Sequence, residues 1–121
     1  MVTGKAYPPV DFTLDRERVE RFARAVGADP KAGVPPTYAA VYALFTTVPQ
    51  LWQDPEADVN LAMLVHSEQE FEWTRHPEVG ETVVARGRVT EDVSRRNLRF
   101  LTYETEVEGV CRSTIVQLIR G

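Results

Sequence analysis

The stretch Val34-Pro35-Pro36-Thr37-Tyr38-Ala39-Ala40-Val41-Tyr42-Ala43-Leu44-Phe45 decides how this sequence is read. Pro35-Pro36-Thr37 opens a helix, because a proline in the first turn lacks only an N–H that has no partner there anyway. The helix is expected to run to about Val48, with Pro49 ending it. From Tyr38 to Phe45 the run has no polar face. A helix that is apolar all round must be covered on nearly every side. A curved sheet wrapped around it meets that need.

Upstream, the spacing predicts a helix over residues 15–26. Val19, Phe22, Ala23 and Val26 fall at the i, i+3, i+4, i+7 positions of one face. Asp15 and Glu17 suit its first turn and Arg24 its last, and Gly27 suits a left-handed stop. Residues 1–10 read as an irregular lead-in, since Pro8 and Pro9 block regular structure. Residues 28–34 form a short connector between the helices.

Downstream of an acidic loop at residues 53–58 the chain reads as strands. One covers residues 66–73, with a turn at 77–80. Residues 82–92 alternate, with Val83, Ala85, Gly87 and Val89 on one face and Arg86, Arg88 and Thr90 on the other. A turn at 94–97 leads into a strand over 98–108, and a turn near Gly109 into another over 111–120. Two helices followed by an antiparallel meander make an α+β domain, a single one over residues 1–121.

Composition narrows the function. With 121 residues, 43% of them hydrophobic and 26% charged, the chain has room for one ordinary core. A net charge of −4 argues against nucleic-acid and membrane-surface partners. Arg86, Arg88, Arg95, Arg96 and Arg99 are the nearest thing to a basic cluster, and acidic residues surround them. The one cysteine, Cys111, and the two histidines, His66 and His76, lack the spacing of a metal site. No cofactor is expected. No signal peptide or spanning segment is legible, so the chain reads as cytoplasmic.

Three segments carry a family resemblance. The stretch from Phe12 to Gly27 is similar to the opening helix of the MaoC-like hot-dog dehydratases, and Val34-Pro35-Pro36-Thr37-Tyr38 to the start of their central helix. The run from Leu64 to Phe71, followed by 77–82, resembles a strand and turn of the same group. The likeness is to the FAS1-like dehydratase branch, which includes non-catalytic subunits, and it spans residue 11 to the C-terminus. It implies a hot-dog fold and dimers joined edge to edge. It also implies a tunnel for acyl-CoA or acyl carrier protein at the subunit interface, as in fatty-acid metabolism. Active members add or remove water across a double bond beside the thioester, with (R)-stereochemistry.

Such chemistry needs a proton-transfer pair and N–H donors for the thioester carbonyl. The family supplies the pair as Asp and His five positions apart, just before the central helix. Here Asp29 stands where that motif begins, but Val34 lies five positions on, and Pro35-Pro36 follow at once. Neither proline has an N–H to offer, which leaves Thr37 as the nearest backbone donor.

Other residues are candidates for the missing roles. His66, Glu68 and Glu70 alternate along one strand and so share a face. His66 with Glu68 is the candidate catalytic pair, against the plainer reading of a hydrogen-bonded row on an edge strand. Thr37 suits a carbonyl or serves as a helix cap. Tyr38 and Tyr42 line an acyl tunnel or pack in the core. Arg95 and Arg96 suit the phosphates of coenzyme A or a carrier protein, or form a solvated turn.

Three functions remain in play. One is an acyl-thioester-binding partner, a homodimer or a heterodimer with a catalytic hot-dog subunit, resembling the non-catalytic half of an (R)-specific 3-hydroxyacyl dehydratase. Another is a stand-alone hydratase or thioesterase using His66 and Glu68. The last is an interaction module whose tunnel is filled by Tyr38, Tyr42 and Phe45.

Overall fold

A computed structural model describes residues 2–120. Among them five strands form one antiparallel sheet in the order β1-β3-β4-β5-β2. The strands are β1 (Val10–Thr13), β2 (Leu64–Trp73), β3 (Thr82–Arg95), β4 (Leu98–Val107) and β5 (Cys111–Arg120). The meander β3-β4-β5 is the one the alternation predicts. Its first turn is the pair Arg96-Asn97, both at positive φ (49° and 68°), the geometry that matches the twist of a two-residue hairpin. β2 starts two residues earlier than expected and pairs with β5, at the far side of the sheet from β1. The strand β1 is not foreseen by the sequence reading at all.

Two bulges set which side chains face inward. In β3, Val89 opposes Tyr103 and Glu91 opposes Thr102, leaving Thr90 as the extra residue. In β2, His66 opposes Gln117 and Glu68 opposes Val116, leaving Ser67 extra. An inserted residue flips every later side chain to the other face. Asp92 is therefore buried where an unbroken alternation would have pointed Glu91 inward.

The helices cover the inner face. α1 (Arg16–Ala25) begins at Asp15, whose carboxylate accepts from the Arg18 N–H at 3.2 Å. Gly27 stops it at φ 76°. Val19 and Ala23 are buried, whereas Val26, expected on the same face, is 52% exposed because it lies past the last turn.

The expected single helix to Val48 is instead three short pieces. A 3-10 turn (Pro36–Tyr38) leads into a π-helical stretch (Ala40–Phe45), and a separate helix α2 (Val48–Trp52) follows. Pro49 does not end a helix. It sits in the first turn of α2, where its missing N–H costs nothing. The Thr46 and Thr47 hydroxyls donate to the carbonyls of Tyr42 and Ala43, at 2.9 and 3.4 Å. Such back-bonding bends a helix, and the break falls at those two residues. Against the sheet, Tyr38, Tyr42 and Ala43 pack with Val83, Ala85, Val107 and Cys111. Leu44, Val48 and Leu51 pack with Val89, Leu101, Tyr103 and Ile115.

Of the expected lead-in, Val10 belongs to β1, and residues 2–9 lack regular structure beyond a bridge from Ala6 to Arg88, yet they are bonded along β3. Tyr7 N–H donates to Gly87 O at 2.9 Å and Gly4 N–H to Val89 O at 2.7 Å, while Lys5 O accepts from Val89 N–H at 2.9 Å.

Candidate functional site

The start of the central helix is built by its prolines. Pro35 is buried and its carbonyl accepts the Tyr38 N–H at 2.9 Å, the first bond of the 3-10 turn. Thr37 is exposed, and its hydroxyl caps nothing. It is the first residue after the two prolines that carries a backbone N–H, as the sequence implies. Asp29 is exposed and its carboxylate accepts the Lys31 N–H at 2.9 Å, holding a local turn rather than facing a histidine.

Tyr38 and Tyr42 are core residues, 2% and 1% exposed. Tyr38 stands edge-on to Phe22, with ring centroids 5.0 Å apart at 71°. The Tyr42 hydroxyl accepts the Trp73 indole N–H at 3.1 Å. Burial is the main cause that pushes the Tyr42 phenol up to about 12, and burial also raises the neighbouring Cys111 thiol. Neither group ionises at neutral pH. Phe45, expected beside the tyrosines as a filler, is 56% exposed because the π-helical stretch turns it outward.

The β2 bulge parts the presumed catalytic pair. Residues paired across antiparallel strands point to the same face. His66 shares the inner face with Gln117, whereas Glu68 and Glu70 share the outer face with Val116 and Thr114. The expectation of one common row over 66, 68 and 70 is thus wrong, because Ser67 interrupts the alternation. His66 lies 6.5 Å from the Trp52 ring and His76 5.1 Å from the Trp73 ring, centroid to centroid. Both histidines are exposed.

Arg95 and Arg96 lie exposed at the β3-β4 hairpin. Tyr38 packs near Val83, so these arginines lie twelve residues further along the strand, roughly 40 Å at ~3.3 Å per residue. Within one chain the structure does not bring them near Thr37.

Sequence reasoning missed two polar features. Asp92 receives a two-pronged bond from Arg99, with Nε and Nη2 each at 2.8 Å, and accepts the Val2 N–H at 3.0 Å. Arg99 reaches on to the Asp58 carbonyl at 2.9 Å. The arginine holds the Asp92 carboxyl below the usual aspartate range, against the opposing effect of burial. The other feature is Gln117, fully buried, which accepts the Trp52 indole N–H at 2.9 Å while its own Nε2 has no partner within the described chain. Glutamine in a strand of alternating Ile and Leu was the available signal for it.

Among the described residues no helix is long and apolar enough to cross a membrane. A family profile described as "FAS1-like, dehydratase domain region" matches residues 1–113. A UPF0336 protein of Leifsonia xyli is 33% identical over 139 aligned positions, covering 98% of this chain and 93% of that protein. A UPF0336 protein of Streptomyces avermitilis is 34% identical over 95 positions, covering 64% of this chain and 62% of that protein's length. Among solved structures, the C-terminally truncated HadBC (3R-hydroxyacyl-ACP dehydratase) complex of Mycobacterium tuberculosis superposes with a TM-score of 0.77 at 21% identity. The match covers 98% of this chain and 97% of the other. That likeness is one of fold: a sheet wrapped around a helix, the hot-dog arrangement.

Proposed function

Since the chain belongs to the family of FAS1-like dehydratase domain regions, we propose that it binds acyl thioesters as the non-catalytic half of an (R)-specific 3-hydroxyacyl dehydratase. The thioester is an acyl-CoA or an acyl carrier protein, and a hot-dog subunit carrying the Asp/His pair completes the site. One observation carries this reading: Val34 and two prolines occupy the place where the base belongs, five positions after Asp29. An alignment of 139 positions to the Leifsonia relative exceeds the 121 residues of this chain. The relative therefore holds residues with no counterpart here, in keeping with a shortened connector.

In this division of labour the chain binds and orients while its partner moves protons. The Thr37 N–H, freed from any earlier helical bond, donates to a thioester carbonyl at the subunit boundary, where enolate charge develops. The open β2 strand is the edge that joins the partner. Arg95 and Arg96 receive phosphates of a thioester held on the partner's half, since they lie at the opposite end of the sheet from Thr37.

Co-expression tests this. Hydration of crotonyl-CoA is expected when the chain is purified together with a catalytic hot-dog subunit, and to fall when Thr37→Pro removes the N–H. Equal turnover by the catalytic subunit without this chain would remove the reading.

The burial of Tyr38 and Tyr42 favours a second reading, an interaction module without an open acyl tunnel. Native mass spectrometry after incubation with acyl-CoAs separates the two, because a closed tunnel retains none.

A further inference from the structure

We propose that β2 chooses its partner by charge: Glu68, Glu70 and Glu72 turn away a second copy of this chain and favour a hot-dog subunit presenting Lys or Arg on its edge strand. The inference rests on the reading of β2 as the docking edge, and goes beyond it by naming what the partner must carry.

β2 is ten residues long, and among the described residues its one strand neighbour is β5. An unpaired strand of that length offers a row of N–H and C=O groups to another chain. Large apolar side chains in it and just before it stand in the open: Leu61 is 53% exposed, Met63 50% and Val65 62%. These features invite association but do not say with what.

The face assignments do. Glu68, Glu70 and Glu72 pair with Val116, Thr114 and Arg112 of β5, so all three point to the outer face. Two copies of β2 related by a two-fold axis pair antiparallel, and a continuous sheet keeps outer face against outer face. Centred on Gln69, this sets Glu68 opposite Glu70 twice. Centred on Glu70, it sets Glu70 against itself and Glu68 against Glu72. Centred on Phe71, it sets Glu70 opposite Glu72 twice. Like charges directly opposite one another destabilise a strand pair.

Within the chain this charge is only partly answered. Arg112 lies across from Glu72 but also across from Glu106 on β4. Glu68 and Glu70 have only Val116 and Thr114 across from them and line a shallow hollow of about 350 Å³ with Gln69. Basic side chains on a partner's edge fit that hollow and supply the missing charge.

The chain itself supplies the probe. Sedimentation velocity and native mass spectrometry are run on the wild type, on E68K/E70K, and on an equimolar mixture of the two. The mixture is expected to form a 1:1 dimer at least about tenfold tighter than either chain alone, with the difference shrinking in high salt. The neutral variant E68Q/E70Q is expected to self-associate more strongly than the wild type. Wild type dimerising as tightly as the mixture, or a mixture that does not associate, overturns the proposal. Hydrogen exchange distinguishes the causes. Protected β2 amides in a wild-type homodimer keep the docking edge and remove the charge rule, whereas a mixed dimer with unprotected β2 amides removes the docking edge itself.

Discussion

At one edge of the sheet β3 is covered from Thr82 to Val89, and at the other β2 has no strand beyond β5 among the described residues. β1 pairs with residues Thr82 to Ala85, and the lead-in takes over at Gly87 and Val89. Two polar clips hold that lead-in. Asp92 takes the Val2 N–H, and Asp54 binds both the Tyr7 hydroxyl at 2.7 Å and Lys5 at 2.6 Å. Among the described residues β2 has no comparable strap, and the exposed Leu61 and Met63 lie just before it. A chain that lays the irregular residues 2–9 along one edge has the means to seal an edge. That the other stays open agrees with the proposed docking of a partner along β2.

The largest effect is expected at the sealed edge. Asp92→Ala strands the guanidinium of Arg99, only 18% exposed at its side chain, and frees Val2. Removing one member of such a pair costs about 3–5 kcal/mol, readable from urea unfolding. Amides of the lead-in should then exchange faster while those of β2 do not change. Loss of protection at both edges alike would erase the distinction drawn between them.

Acid probes the same clip. A carboxyl held below its unfolded value of about 3.9 stabilises the fold above that pH and loses its contribution as pH falls through the lower folded value. Asp92→Asn should therefore flatten the acid limb of the stability profile and leave the slope above pH ~5 unchanged.

Gly87 comes next. A Cβ there would overlap the Tyr103 hydroxyl, which donates to the Thr47 carbonyl at 3.3 Å. The ring carbons of Tyr103 overlap it too, so Gly87→Ala should cost about 1–3 kcal/mol through overpacking, and should cost less in a Tyr103→Leu background, where those carbons are gone. An equal cost in both backgrounds would mean that backbone conformation, not the tyrosine, requires the glycine.

At the open edge the effects shrink. Trp73→Phe takes the indole N–H from the buried Tyr42 hydroxyl, a loss of about 1 kcal/mol. Glu70→Gln should change the stability of the isolated chain by less than about 0.5 kcal/mol. A larger loss would place Glu70 in the chain's own structure and not in a surface kept for a partner.

The sequence showed most of the fold and only part of the site. α1 was legible because an N-cap, a 3.6-residue period and a terminal glycine agree. The β3-β4-β5 meander was legible because its alternation is long. β1 was not, since four residues after Pro8-Pro9 become a strand only by pairing with β3. Nor was the break at Thr46-Thr47, because an all-apolar run has no phase to lose. Both bulges were invisible: an extra residue such as Ser67 looks like its neighbours until a partner strand fixes the register. Ser67 separated His66 from Glu68 in β2, and Thr90 carried Asp92 inward in β3. That no histidine stands five positions after Asp29, in contrast, needed only counting.

The most direct test of the account is the rate at which the purified chain, alone, hydrates crotonyl-CoA, followed by loss of the enoyl absorbance. The account predicts the uncatalysed rate, unchanged by His66→Ala. Sustained turnover by the chain alone, abolished by His66→Ala at an unchanged melting temperature, would contradict it.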